Sequence, residues 1–214
     1  MTGTPMSARL RAENSGTWQA ALGMRFVEEV TADTIPDAVF ARYLVFEREF
    51  VDTAARLCGA AVREAPNAHA LSGHSTALHN LVTEQYDYFS KALADIGGAP
   101  EVSAAAQEQA GGLTEVVLDI ADTYGYPGIV TGMYAAESLY GQWCATAART
   151  PSRRGPIADW VALHTREPFL GQVRFLAAEI DALEVLPETE RELLGVFGHT
   201  LDAEIAFHEA AYRD

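Results

Sequence analysis

Four glutamates stand where an ionised carboxylate is costly. Residues three, four and seven apart share one side of a helix. In the segment after Pro36, Tyr43, Phe46, Phe50, Ala54, Leu57 and Ala61 form an apolar stripe, and Glu47 lies on it. After Pro127, Val130, Met133, Tyr140 and Cys144 form a second stripe that includes Glu137. Near the C-terminus, Phe197, Leu201, His208 and Ala211 line one side with Glu204 among them, and Glu84 sits between Leu81 and Tyr88. Burying an ionised carboxylate costs several kcal/mol unless partners compensate it. One such acid is well explained by a helix edge or a structural ion pair. Four on four segments point to a shared polar pocket inside a helical bundle.

Two chemistries use buried acids in this way. A carboxylate-bridged dimetal site wants Glu-x-x-His on each of two helices. None of the six histidines has a glutamate three residues before it. Glu204 and His208 are four apart with no second copy, and His-Glu-x-x-His is absent. The spacing therefore disfavours a metal centre, and no cofactor is expected. The other chemistry is an organic ligand held between aromatic faces and hydrogen-bonded by the acids. Phe50 beside Glu47, Tyr140 beside Glu137 and Phe207 beside Glu204 supply the faces. A carboxylate accepts amino protons, so a nitrogen heterocycle carrying an exocyclic amine suits it.

The elements that must position these residues read as helices throughout. A first helix spans Ser7 to about Leu22, with an irregularity expected around Ser15–Gly16. A short one runs from Phe26 to Thr31. A long helix with Pro36 in its first turn reaches Ala65, and another runs from Ala68 to Asp95. Residues 100–112, small and polar with Gly111-Gly112 at the end, predict a loop. Helices are expected next over Leu113–Tyr124, from Pro127 to about Arg149, over Ile157–Thr165, from Pro168 to about Glu184, and from Pro187 onward. No alternating strand-like run occurs. The chain of 214 residues suits one domain, residues 1–214, of an all-α bundle type, and 49% hydrophobic residues suffice for a core.

Bulk charge narrows the function further. The formal net charge is −15 and Lys91 is the only lysine. Such a chain repels phosphate backbones and anionic membranes, so neither nucleic acid nor membrane is an expected partner. The one basic cluster, Arg149, Arg153 and Arg154, reads as a solvated loop. Cys58 and Cys144 form no C-x-x-C pair and read as small buried hydrophobes. No secretory leader or membrane span is read from the sequence, and a cytoplasmic location is expected.

At these residues the sequence resembles the TenA/THI-4 (thiaminase II) family, over nearly the whole chain. Phe40-x-x-Tyr43-Leu44-x-x-Glu47-x-x-Phe50 looks like the family's F-x-x-Y-(L/V)-x-x-D-x-x-Y segment. Ala136 to Tyr140 lines up with C-x-x-x-Y, and Trp160-x-x-x-His164 with W-x-x-x-Y. Glu204-x-x-Phe207-x-x-x-Ala211-Tyr212 resembles the C-terminal E-x-x-F-W-x-x-A-Y signature. The resemblance implies the haem-oxygenase-like all-α fold without haem, in a homodimer or homotetramer. It implies a pocket for 4-amino-5-aminomethyl-2-methylpyrimidine or a relative, and hydrolysis to hydroxymethylpyrimidine and ammonia in thiamine salvage.

Carried over by position, the resemblance makes Glu47 the acid that binds the pyrimidine ring nitrogen and amine, with Phe50, His164 and Phe207 as further substrate-binding residues. It makes Glu204 the proton-relaying acid, and Tyr140 the tyrosine that orients the nucleophile in cysteine-bearing members. The family's nucleophilic cysteine is Ala136 here, and Phe50 and His164 stand for tyrosines. The cysteine-free TenA_E branch, which also lacks that nucleophile and carries a nearby glutamate, fits best, with Glu137 in that role. It implies carboxylate-activated water acting on an amino- or formylamino-pyrimidine. The alternatives are other chemistry on the same fold, a cofactor-free oxidase like the PQQ-synthesis protein or a non-haem dimetal oxidase, and a non-catalytic binding or regulatory protein. Glu84 acquires no role.

Overall fold

A computed structural model of the chain describes residues 4–150 and 155–213. Arg153 and Arg154, expected in a solvated basic loop, lie outside the described residues. Ten α-helices succeed one another, with no strand among the described residues. The first expected helix is two, α1 (Met6–Glu13) and α2 (Ser15–Leu22), with Asn14 at the joint. The Asn14 side-chain amide donates to the Leu10 carbonyl at 3.0 Å and to the Leu194 carbonyl at 3.0 Å. These bonds pin the joint to the C-terminal helix. α3 (Arg25–Ala32) ends on Asp33, in the left-handed region at φ 58°.

α4 (Asp37–Glu64) carries the first stripe. Pro36 precedes it as an extended cap residue rather than sitting within its first turn. Asp37 opens the helix, where a negative charge meets the positive end of the helix dipole. α5 (Ala68–Asn80) is capped by Asn67, whose side chain accepts from the Ala70 amide at 3.0 Å.

Beyond α5 the expected single helix to Asp95 is interrupted. Leu81–Gln85 form a π-helical turn before α6 (Tyr86–Asp95). The wider turn adds a residue to the helical path and changes the face that α6 presents. Such turns recur at functional sites.

The loop expected over residues 100–112 is instead the start of a helix. α7 (Ala104–Ala147) begins at Ser103, whose hydroxyl accepts from the Ala106 amide at 3.2 Å. Ala106, Ala110, Leu113 and Val117 are buried at helical spacing. Their packing outweighs the roughly 1 kcal/mol that each of Gly111 and Gly112 costs against alanine. The expected break at Gly125-Tyr126-Pro127 is real. Gly125 adopts φ 55° and ψ −145°, a conformation side-chain-bearing residues avoid, and redirects α7 there.

α8 (Gly155–Leu163), α9 (Phe169–Asp181) and α10 (Pro187–Ala210) complete the set. Pro187 occupies the first turn of α10, with Glu188 and Glu190 beside it. α10, α4 and α9 all pack along α7, and α5 packs on α4. The core is largely continuous, running from Leu10 to Ala211 through Tyr43, Trp143, Trp160 and Phe197. No described helix is long and apolar enough to cross a membrane.

Candidate active site

The acids of three helices meet at one cavity. Glu47 from α4, Glu137 from α7 and Glu204 from α10 line a small inner chamber of about 80 Å³, with Tyr140, Trp160, His164, Phe50 and Phe169. A second chamber of about 120 Å³ continues from it, sharing Phe50, Phe169, Glu137 and Glu204. Leu81 and Gln85 of the π-helical turn border both chambers, and the outer wall adds Cys58, Gln172 and Glu84. Glu84, expected on an apolar face, is exposed and of these two chambers borders the outer one alone.

Helical spacing places the key groups. Glu137 and Tyr140 are three apart on α7, so both reach the same wall. Glu204 and His208 are four apart on α10, with the same result. His164 comes directly after the last residue of α8, and its Nδ1 donates to the Trp160 carbonyl at 2.9 Å. The ring of His164 packs edge-on against Trp160, with centroids 4.0 Å apart, and against Phe169, 4.6 Å apart. The Nδ1–H commitment leaves Nε2 as an acceptor in the neutral ring.

Glu47 is 6% exposed and is held by tyrosines. The Tyr140 hydroxyl donates to its Oε1 at 2.5 Å, and the Tyr43 hydroxyl donates to the Tyr140 oxygen at 3.2 Å. Burial raises the Glu47 pKa to about 7, and the tyrosine hydrogen bonds pull it back. Glu137 is partly exposed, and its carboxyl borders both chambers. Burial, with the charge of Glu47, lifts it to about 7. Glu204 is 2% exposed, and its Oε2 has no hydrogen-bond partner. Burial, then Glu47 and Glu137, push it well above the usual carboxylate range. Three acids that repel one another's charge hold protons at pH values where an ordinary carboxyl has lost them.

The inner chamber's imidazole, His164, is neutral. Burial lowers His164 to about 4, partly offset by its bond to the Trp160 carbonyl. The buried Trp160 Nε1 has no hydrogen-bond partner. The site therefore combines proton-bearing acids, an imidazole acceptor, an unused indole donor and aromatic walls. That set suits a flat, nitrogen-rich ligand with both donors and acceptors.

Phe207 lies elsewhere than expected. It is 1% exposed, packs on Phe46 and Phe50, and lines neither chamber. Although it lies three residues after Glu204 on α10, its ring is taken up by the core contacts with Tyr43, Phe46 and Phe50. Phe50 and Phe169 are the phenyl rings bordering the cavity. Ala136, at the place of the family's cysteine, borders both chambers.

Sequence reasoning missed Phe169, Gln172, Gln85 and Cys58. Phe169 and Gln172 stand in the first turn of a helix whose direction is set by the preceding loop, and no spacing rule reports that. Cys58 shares the α4 stripe through Ala54, four residues earlier, and that relation was available. Burial and the charge of Glu137 raise its thiol to about 12, so it is not a thiolate. Among the described residues no group of three or more His, Cys, Asp or Glu side chains is arranged to hold a metal ion.

Solved structures share this architecture from end to end. The chain has the haem-oxygenase-like fold of the TenA homologues. A TenA homologue from Pyrococcus furiosus superposes with a TM-score of 0.87 at 20% identity, covering 97% of this chain and 100% of that one. A TenA family transcription regulator from Silicibacter sp. TM1040 gives 0.85 at 19% identity, over 98% and 97% of the two chains. A chain from Sulfolobus solfataricus assigned as a TenA-like thiaminase gives 0.79 at 14% identity, over 100% and 97%. No protein-family model matches the sequence, and no curated protein matches it.

Proposed function

We propose that the protein is a thiamine-salvage hydrolase acting on an amino- or formylamino-pyrimidine of the 4-amino-5-aminomethyl-2-methylpyrimidine type. One observation carries the reading. Glu47, Glu137 and Glu204 converge on a small aromatic-walled cavity, beside Ala136 where the resembling family has its nucleophilic cysteine. The fold shared with TenA homologues supports it.

In this reading Glu47 accepts hydrogen bonds from the ring amine, and Phe50 and His164 pack on the ring. Phe207 supports Phe50 from behind. Glu137, ionised, takes a proton from water as its oxygen attacks the carbon bearing the leaving nitrogen. Glu204, protonated, gives its proton to that nitrogen as the carbon–nitrogen bond breaks. An aminomethyl substrate yields the pyrimidine alcohol and ammonia. A formylamino substrate is attacked at the formyl carbon and yields formate and the free amine. Tyr140 orients Glu47. No thiolate takes part, and raised carboxyl pKa values near the working pH are what an acid–base pair of this kind requires.

The test is incubation of the purified protein with both pyrimidines, reading ammonia, formate and the pyrimidine alcohol. Turnover of either supports the reading. No turnover, together with no thermal shift on adding either compound, overturns it. The same preparation reports its assembly by light scattering, where a homodimer or homotetramer is expected.

A further inference from the structure

His208 adjoins the network around Glu47 and has no part in the proposed hydrolysis. It is fully buried on α10, with its ring stacked on Tyr43 at 5.3 Å between centroids. Its Nδ1 lies 2.7 Å from the backbone carbonyl of Glu204. A carbonyl only accepts, so Nδ1 carries the hydrogen. In the neutral ring Nε2 is then a bare acceptor. That Nε2 is 3.2 Å from the Tyr140 hydroxyl, which also lies 2.5 Å from Glu47 Oε1.

Tyr140 has one hydroxyl hydrogen and two acceptors for it. While Glu47 is ionised, the shorter contact and the negative charge take the hydrogen, and His208 Nε2 is left without a donor. When Glu47 is protonated, it becomes a donor to the Tyr140 oxygen, and the Tyr140 hydrogen is free to turn. Every group is then satisfied at once: Glu47 donates to Tyr140, Tyr140 donates to His208 Nε2, and Tyr43 donates to Tyr140.

We propose that His208 is the second acceptor for the Tyr140 hydroxyl hydrogen, which turns from Glu47 to His208 Nε2 when Glu47 takes up a proton. One proton enters, and it stays on Glu47. Tyr140 keeps its own hydrogen and only reorients it. His208 is thus a positioning residue that acts through Tyr140 and favours the protonated form of Glu47. In the resembling signature the same position is tryptophan, which has no acceptor nitrogen, so the arrangement is a property of this chain.

The neighbours do not displace this balance. α4 contributes Tyr43, α6 Tyr88, and α7 Glu137 and Cys144 beside Tyr140. α10 contributes Glu204, and the end of α8 brings His164. None of these is a cation at neutral pH, so none offers Glu47 a competing positive partner. Burial keeps His208 itself neutral, with a pKa of about 4.

The test uses the full-length, ligand-free protein and no turnover, so it stands or falls separately from the hydrolase reading. Nitrogen-15 NMR of the wild-type histidines, assigned with His208→Gln, reports the tautomer and the hydrogen bond at Nε2. Carbon-13 NMR of labelled glutamate, assigned with Glu47→Gln, reports the Glu47 carboxyl. His208 is expected as the Nδ1–H tautomer, with its Nε2 signal moving toward the hydrogen-bonded position in step with Glu47 protonation. In His208→Phe the Glu47 midpoint should fall by about one pH unit or more, and His208→Gln, which restores an acceptor oxygen, should recover part of it. In a Tyr140→Phe background the His208→Phe shift should vanish. An Nε2–H tautomer, an Nε2 signal indifferent to the Glu47 titration, or an unchanged or raised Glu47 midpoint in His208→Phe overturns the proposal. The wild-type measurement decides the matter even if the phenylalanine variant does not fold.

Discussion

Glu204 and His208 lie one turn apart on α10 without pairing. His208 Nδ1 is 3.7 Å from Glu204 Oε2 but 2.7 Å from the Glu204 carbonyl oxygen, and its only Nδ1 hydrogen goes to the carbonyl. The nearest candidate counter-charge is therefore a neutral ring, and Glu204 is left to burial and to the repulsion of Glu47 and Glu137. Both favour the protonated acid, which is the form a proton donor to a leaving amine must have.

Replacing that acid separates chemistry from binding. Glu204→Gln keeps the volume and a hydrogen-bond donor but cannot deliver a proton. Turnover of the pyrimidine substrate should fall about 100-fold or more, while the dissociation constant measured by calorimetry changes only a few-fold. A variant with unaltered turnover would remove Glu204 from the reaction.

The pocket acids also tie stability to pH. Glu47 and Glu137 titrate near 7 in the fold against an ordinary 4.5. Their contribution is fully present below about 4.5 and is lost as pH rises through about 7. His164 and His208 work the other way. They titrate near 4 in the fold against an ordinary 6.5, so their contribution is present above about 6.5 and is lost as pH falls through 4. Glu204, raised further, adds to the acids' side; the two sets oppose between about pH 4.5 and 6.5, where stability should vary less with pH than it does above that range. Above that range only the acids titrate, and stability should decline toward pH 8. Glu137→Gln removes one acid and should be more stable than the wild type at pH 8 by roughly 2 kcal/mol, with the difference shrinking toward pH 5. Urea unfolding at the two pH values measures this, and a difference independent of pH would contradict it.

The cavity's own cysteine is expected to be inert. Cys58 is 4% exposed and its thiol pKa is raised to about 12 by burial and by Glu137. Iodoacetamide at pH 8 should leave Cys58 unlabelled in the folded protein and label it after denaturation. Rapid native labelling, read by peptide mass, would show a reactive thiol instead.

The kink in α7 depends on one glycine. Gly125→Ala places a side chain at φ 55° and should cost about 1–2 kcal/mol. Thermal or urea unfolding measures the loss. A neutral effect would mean that the bend is held by Pro127 and tertiary packing.

How legible each feature is in the sequence depends on how local it is. Glu47, Glu137 and Glu204 could be found because a helix repeats every 3.6 residues, so an acid on an apolar stripe is visible before any packing is known. The same rule set Glu84 beside them, yet the π-helical turn at Leu81–Gln85 leaves it exposed, and no composition signal announces a π turn. The start of α7 was hidden by Gly111 and Gly112, whose cost is offset by the burial of Ala106 and Ala110 against other helices. His208 read as part of an apolar face because its proton arrangement depends on a backbone carbonyl and on a tyrosine 68 residues away.

The central claim is that carboxylates activate water with no covalent intermediate on cysteine. The direct measurement is rapid-quench turnover of 4-amino-5-aminomethyl-2-methylpyrimidine with intact-mass analysis of the enzyme at each time point. Ammonia and the pyrimidine alcohol are predicted to appear together while the enzyme keeps its unmodified mass throughout. A pyrimidinylmethyl adduct on Cys58 that forms and decays at the rate of turnover would contradict it.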